Sequence, residues 1–195
     1  MFKATAHLES ISPYSPSRMH DTPKLEKERP DDFEKRTWRE KAHAGNNLTP
    51  GVPEGQVFMP PMGFKLCLAE CAKFMSEQIP GKGKATWTKH FEAGVLCAEP
   101  LVLPIMKGDL QGEWFNMNSD GKRGSGTRVR RCFPCIPEWK GAVEYWVLDP
   151  TITKPVFEHH ISEAGKFIGV GRFRPRNGGF YGRFRLAKLD WSEAN

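Results

Sequence analysis

The chain has 195 residues, a formal net charge of +6 and 38% hydrophobic residues, enough to bury a sizeable core within one domain spanning residues 1–195. It has no apolar run long enough to cross a membrane, and its opening MFKATAHLESISP lacks the apolar stretch of a secretion signal. Five cysteines, an odd number, then point to reduced thiols in a cytoplasm rather than a disulfide framework.

Residues 3–11, KATAHLESI, alternate as a strand does, with Ala4, Ala6, Leu8 and Ser10 on one face. Two prolines in ISPYSPSR end it in extended or turning chain. Residues 19–55 are the most polar part and read as an insertion. Within them, residues 31–41 form a helix capped by Asp31 or Asp32, with Phe33, Thr37 and Trp38 along one stripe. Residues 56–59 are a short strand. A helix follows in which Phe64, Cys67, Leu68, Cys71, Ala72 and Met75 share a buried face. Cys67 and Cys71 are four residues apart, but core thiols explain them better than half a metal site.

IPGKGKATWTKH is a glycine-lysine loop with Lys82, Lys84, Lys89 and Trp87, and it lacks the Gly-Lys-Ser/Thr ending of a nucleotide phosphate loop. Residues 91–105 are apolar and β-prone, a core strand broken near Pro100. Residues 107–131 are a second insertion, a basic hairpin or finger with Lys122, Arg123, Arg128, Arg130 and Arg131. Cys132 and Cys135 close it as C-x-x-C, again half a zinc site at most. No metal, other cofactor or catalytic residue is expected. GAVEYWVL, residues 141–148, is a strand. A helix capped at Thr153 follows, burying Val156, Phe157, His160, Ile161, Ala164 and Ile168.

The last third then enters GKFIGVGRFRPRNGGFYGRFRL. This stretch carries six glycines and, through Lys188, seven cations: Lys166, Arg172, Arg174, Arg176, Arg183, Arg185 and Lys188. No acid lies between Glu163 and Asp190. Glycines permit close backbone approach, arginines supply forked donors for phosphate, and Phe173, Phe180 and Tyr181 offer faces to unpaired bases. The alternative is a solvated basic hairpin whose aromatics point into the core. The three basic loops together favour RNA or single-stranded DNA, with Trp87 a further stacking candidate.

Without its loops the chain reads strand–helix–strand twice. This is an α+β, ferredoxin-like (RRM-like) split βαβ core, with one sheet face covered by two helices and the other open to a ligand. The second helix running straight into AGKFIGVGRFRPRNGGFYGRFRL resembles the C-terminal glycine-rich loop of the RAMP superfamily, the RNA-binding proteins of CRISPR effector complexes. VFMPPMGFKLCLAECAKFM is similar to the strand-to-helix segment of their backbone subunits, and the whole resembles uncharacterised phage and prophage proteins. The resemblance implies sequence-tolerant binding along a strand, as a homo-oligomer or a subunit of a ribonucleoprotein, in a prokaryotic or phage-infected cytoplasm. It also implies two alternatives, a metal-independent endoribonuclease and a phage-borne mimic or inhibitor of an effector complex. The first of these calls for a histidine near the first strand or helix, for which His7, His20 and His43 are available. Target-cutting relatives use a loop aspartate, for which Asp21, Asp31 and Asp32 are available. RPRNGG lengthens the loop beyond the usual pattern.

Overall fold

The computed structural model describes residues 1–119 and 126–194. Its central sheet holds β1 (Phe2–Ser10), β3 (Val95–Leu96), β7 (Lys140–Val147) and β8 (Phe184–Glu193) in the order β3-β7-β1-β8. Every pairing is antiparallel. Helix α2 (Pro61–Met75) lies between β1 and β3 in the chain, and α4 (Lys154–Glu163) between β7 and β8. That connectivity and strand order are the ferredoxin-like split βαβ.

The alternation in β1 decides which face is covered. Ala4, Ala6 and Leu8 are buried beside Val143, Tyr145 and Val147 of β7. The aromatic rings then join sheet to helices: Tyr145 meets Phe157 of α4 at 5.3 Å, and Trp139 bridges Phe64 of α2 and Phe184 of β8. His160 is a core histidine, as expected. Its ring stacks on Phe91 at 4.3 Å, and its Nδ1 bonds the Val156 carbonyl at 2.8 Å.

Two small sheets flank this core. β2 (Gln56–Met59) pairs with β4 (Leu101–Met106), and β5 (Gln111–Asn118) with β6 (Arg128–Cys135). The polar segment after β1 carries α1 (Pro30–Thr37) and a 3-10 turn, Trp38–Lys41, both against β6.

Several expectations need correcting. Residues 91–105 are not one strand. α3 (Thr88–Ala93) takes the first part, β3 keeps only two residues in the central sheet, and β4 leaves to join β2. Pro100 separates β3 from β4. Pro104, with no N–H to give, falls where the β2–β4 register shifts. The start of α1 is Arg29 with Pro30 in its first turn rather than an aspartate cap, because proline is already set to helical φ. Of the expected stripe, Thr37 is buried and Trp38 packs against the core, but the buried charge Glu34, which that stripe does not include, shares the same side. Thr153 stands at the start of α4 without a side-chain capping bond. By simple alternation Lys188 would share a face with Phe184 and Leu186, but a bulge opposite His7 and Leu8 changes the phase of β8, so Leu189 and Trp191 pair with Ala6 and Ala4 on the covered face while Lys188 stands opposite His7 on the open one.

The thiols behave as apolar side chains. Burial holds Cys71 and Cys97 up to about 12 and Cys135 up to about 11. Cys132 and Cys135 sit three residues apart in a strand, which directs them to opposite faces.

Candidate nucleic-acid interface

The glycine-rich loop is seated by the chain that follows β1. Arg172 N–H donates to Ser15 O at 2.8 Å, Gly182 N–H to Pro13 O at 2.6 Å, and Arg183 N–H to Ser12 Oγ at 2.9 Å. Gly171 and Gly182 have φ of +79° and +73°. A Cβ would lie 2.5 Å from Ser15 O at the first and 1.9 Å from Val170 O at the second, so the loop can fold this tightly only with glycine there. Phe173 is left-handed too, at φ +56°. Its ring packs on Phe115 at 4.9 Å and Phe133 at 5.4 Å, which joins the loop to the β5–β6 hairpin.

The loop therefore splits its arginines between two neighbours. Arg172 reaches the hairpin, its Cζ 4.3 Å from the Phe133 ring centroid. Burial lowers its guanidinium pKa, and the nearby Glu34 charge partly offsets that. Arg174 and Arg176 turn the other way and share Glu70 of α2, at 2.8 and 3.2 Å. Arg185 grips Glu9 at 2.6 Å, Lys166 meets Glu163 at 2.7 Å, and Lys188 meets Asp190 at 2.7 Å. Arg183 bonds the carbonyls of Lys166 and Phe180. Arg174, Arg176 and Arg185, which have no acid nearby in sequence, thus find acids in space.

The basic groove lies where Arg172 meets the hairpin. Two adjoining cavities of about 440 and 520 Å³ run between α1 and the hairpin, sharing Phe33 and Arg131. Arg18, Lys24, Lys41, Arg128, Arg130, Arg131 and Arg172 line them, against Asp31 and Glu34. Asp31 stands 3.9 Å from Arg130. Glu34, 2% exposed, is saturated. Lys41 Nζ donates to it at 2.5 Å, Arg131 Nη1 at 2.7 Å and the Cys132 N–H at 3.1 Å. Burial raises the Glu34 pKa, but those three donors outweigh it and hold the carboxyl below its usual value. Burial pushes the Lys41 ammonium down despite Glu34, with Arg131 and Arg172 adding to the effect. We take the pair as ionised, because Lys41 also donates to Cys132 O at 2.7 Å and faces the Phe133 ring at 4.4 Å. Phe33 is half-buried between His20, at 6.3 Å, and the Lys24 ammonium, at 6.0 Å.

The residues anticipated from sequence distribute unevenly. Arg128, Arg130, Arg131 and Arg172 meet in the groove; Arg123 and Lys122 lie outside the described residues. Lys82 and Lys84 are exposed on the loop after α2 and Lys89 is exposed on α3, and none of the three lines the groove. Trp87, 6% exposed, packs on His90 and His160, and Tyr181, also 6% exposed, donates to Glu113 at 2.6 Å. Neither offers a ring face to a base. Phe180 does: it is 55% exposed and stacked on Tyr181. Arg18, Lys24, Lys41 and Phe33 escaped the sequence reading. Arg18 and Lys24 had no visible signal in a segment of mixed charge, and Lys41 was hidden as one more helix-surface lysine.

The open face of the central sheet instead carries the ion pairs Lys3–Glu144 and Arg185–Glu9, with His7 hydrogen-bonded to Asp190 at 2.8 Å. His43 packs against Phe58, and burial lowers its pKa, with Arg18 contributing. A further cavity of about 520 Å³, among Pro13, Pro104, Pro137 and Trp139, has Lys140 as its one cation beside Glu9 and Glu138.

No protein-family model and no curated protein sequence matches this chain. Among solved structures it is similar to Cmr6 from Pyrococcus furiosus. The two are 14% identical over 96% of this chain and 98% of that one, with a TM-score of 0.44. The ferredoxin-like assignment rests on the strand order given above. No helix among the described residues is long and apolar enough to cross a membrane.

Proposed function

We propose that the protein binds single-stranded nucleic acid, RNA or DNA, in the groove between α1 and the β5–β6 hairpin. The observation that carries this is the seven-to-two excess of cations over acids there, with Glu34 already saturated. Arginine forks at Arg128, Arg130 and Arg131 suit phosphate. Contacts of this kind track a backbone and read little sequence. The RAMP-like run from α4 into a glycine-rich loop supports the same reading, with copies aligned along a strand or within a ribonucleoprotein of a prokaryotic cytoplasm. Purification at moderate salt without nuclease tests it. The expected product is a large particle rich in ultraviolet absorbance that shrinks under RNase or DNase. A nucleic-acid-free monomer that retains no added oligonucleotide contradicts it.

One pair favours a second reading, a metal-independent endoribonuclease. His90 Nδ1 lies 2.5 Å from Asp149 Oδ2, and Thr151 Oγ1 donates to Asp149 Oδ1 at 2.6 Å. Burial raises the Asp149 pKa, but the Thr151 and His90 bonds outweigh it and keep the carboxyl ionised. An aspartate on Nδ1 fixes the tautomer and leaves Nε2 as a general base for a ribose hydroxyl. Lys89 lines the same cavity of about 460 Å³. RNA cut in EDTA by the native chain and not by His90→Ala supports this reading; RNA left intact by the native chain ends it.

A further inference from the structure

Helix α2 is apolar on more than its inward side. Phe64, Cys67, Leu68 and Cys71 face the core, yet Met62, Leu66 and Phe74 are 59, 52 and 51% exposed. A helix apolar around most of its circumference is one that something covers. Phe167, 49% exposed on the turn after α4, extends the outer patch, its ring 5.9 Å from that of Phe74. Met62 and Leu66 are one turn apart, and Phe74 with Phe167 makes a second pair one turn beyond Glu70, so this flank exposes apolar side chains in groups rather than singly.

The rim of this patch is cationic. Lys73 on α2, Lys166 beside Phe167, and Arg174 and Arg176 on Glu70 border it, against Glu70 and Glu163. Both acids are occupied: Glu70 by two arginines, Glu163 by Lys166. The Arg176 guanidinium also lies 5.6 Å from the Phe74 ring centroid, so it stands over the patch while bound to Glu70. Met62 and Leu66 make half of this patch aliphatic, and the Phe74 and Phe167 rings lie against each other at 5.9 Å, so the surface suits apolar side chains better than a run of stacked bases.

We propose that the outer face of α2 with Phe167 docks an acidic amphipathic helix of a protein partner. Its apolar stripe would cover Leu66, Phe74 and Phe167, and its carboxylates would meet Lys73, Lys166 and Arg176. This is the helix-on-apolar-surface mode of recognition, with charge complementarity selecting the partner. The surface lies on the opposite flank of the glycine-rich loop from Arg172 and does not depend on the nucleic-acid reading.

The test uses the full chain and two fluorescent peptides of about 18 residues, long enough for a helix to span the patch. Both carry leucine at helical spacing; one has glutamate at the remaining positions and the other lysine. By fluorescence anisotropy, the glutamate peptide should bind at least about tenfold more tightly than the lysine peptide. The double variant Phe74→Ser/Phe167→Ser, changed at exposed positions that leave the core intact, should weaken the glutamate peptide by about tenfold or more. Lys24→Ala/Arg128→Ala should leave it unchanged. Equal binding of the two peptides, or no effect of the double variant, overturns the proposal. Loss of oligonucleotide binding in the double variant, with peptide binding kept, overturns it in favour of a nucleic-acid surface.

Discussion

The open sheet face and the α1–hairpin groove are built from the same residue types and differ in how charge is arranged. On the sheet, each cation stands across or along a strand from an acid: Lys3 with Glu144, Arg185 with Glu9, Lys188 with Asp190. In the groove seven cations face two acids, and the buried acid binds Lys41, Arg131 and a backbone amide at once. The sheet face is an array of exposed pairs of small individual worth. The groove keeps a net field, because its one strong acid is used to hold the cations in place.

Glu34 and Glu9 give the largest contrast. Glu34→Ala leaves Lys41 buried without its partner and should cost about 3–5 kcal/mol in chemical denaturation. Glu9→Ala breaks an exposed pair and should cost under about 1 kcal/mol. Similar losses would erase the distinction between the two regions.

The pH dependence of stability should carry the same signature. The folded Glu34 pKa lies below its unfolded value, so its contribution is present above the unfolded value of about 4.3 and is lost as pH falls through the folded one. The native chain should therefore lose stability on acidification below about pH 4 more steeply than Glu34→Gln. Parallel acid limbs in the two proteins would show that Glu34 is not held in its charged form.

Tyr181 sharpens the boundary of the groove by the smallest effect. Its hydroxyl bond to Glu113 ties the glycine-rich loop to β5. Tyr181→Phe should cost about 1 kcal/mol of stability and leave oligonucleotide affinity within about twofold, because the ring is buried. A large loss of affinity would place the bound strand on the loop rather than in the groove.

Much of the core was legible because local periodicity and burial agree there. β1 alternates, α2 and α4 carry their apolar faces at helical spacing, and β7 is apolar on its inward side. The site was legible only in its basic character. Arg174 and Glu70 are 104 residues apart, and Arg185 and Glu9 are 176 apart, so three arginines that read as unopposed, Arg174, Arg176 and Arg185, meet acids on chain folded from elsewhere. Trp87 and Tyr181 sit in loops that read as exposed, yet both rings are buried: Trp87 joins the core beside His160, and Tyr181 packs on Phe115 and Phe173 with its hydroxyl on Glu113. The two-residue β3 was illegible for a related reason. Its neighbours in sequence are equally apolar, and only pairing with β7 separates it from α3 and β4.

The salt dependence of single-strand binding tests the central claim most directly. Affinity for a uridine-rich RNA, and for the matching DNA, would be measured across salt concentrations for the native chain and for Lys24→Ala/Arg128→Ala/Arg130→Ala. These three side chains are exposed in the groove, so the fold should survive their loss. The account predicts weaker binding and a plot of log K against log salt that is flatter by about 2, since each phosphate contact on a single strand contributes about 0.7. An unchanged slope with unchanged affinity would contradict it and place the strand elsewhere on the molecule.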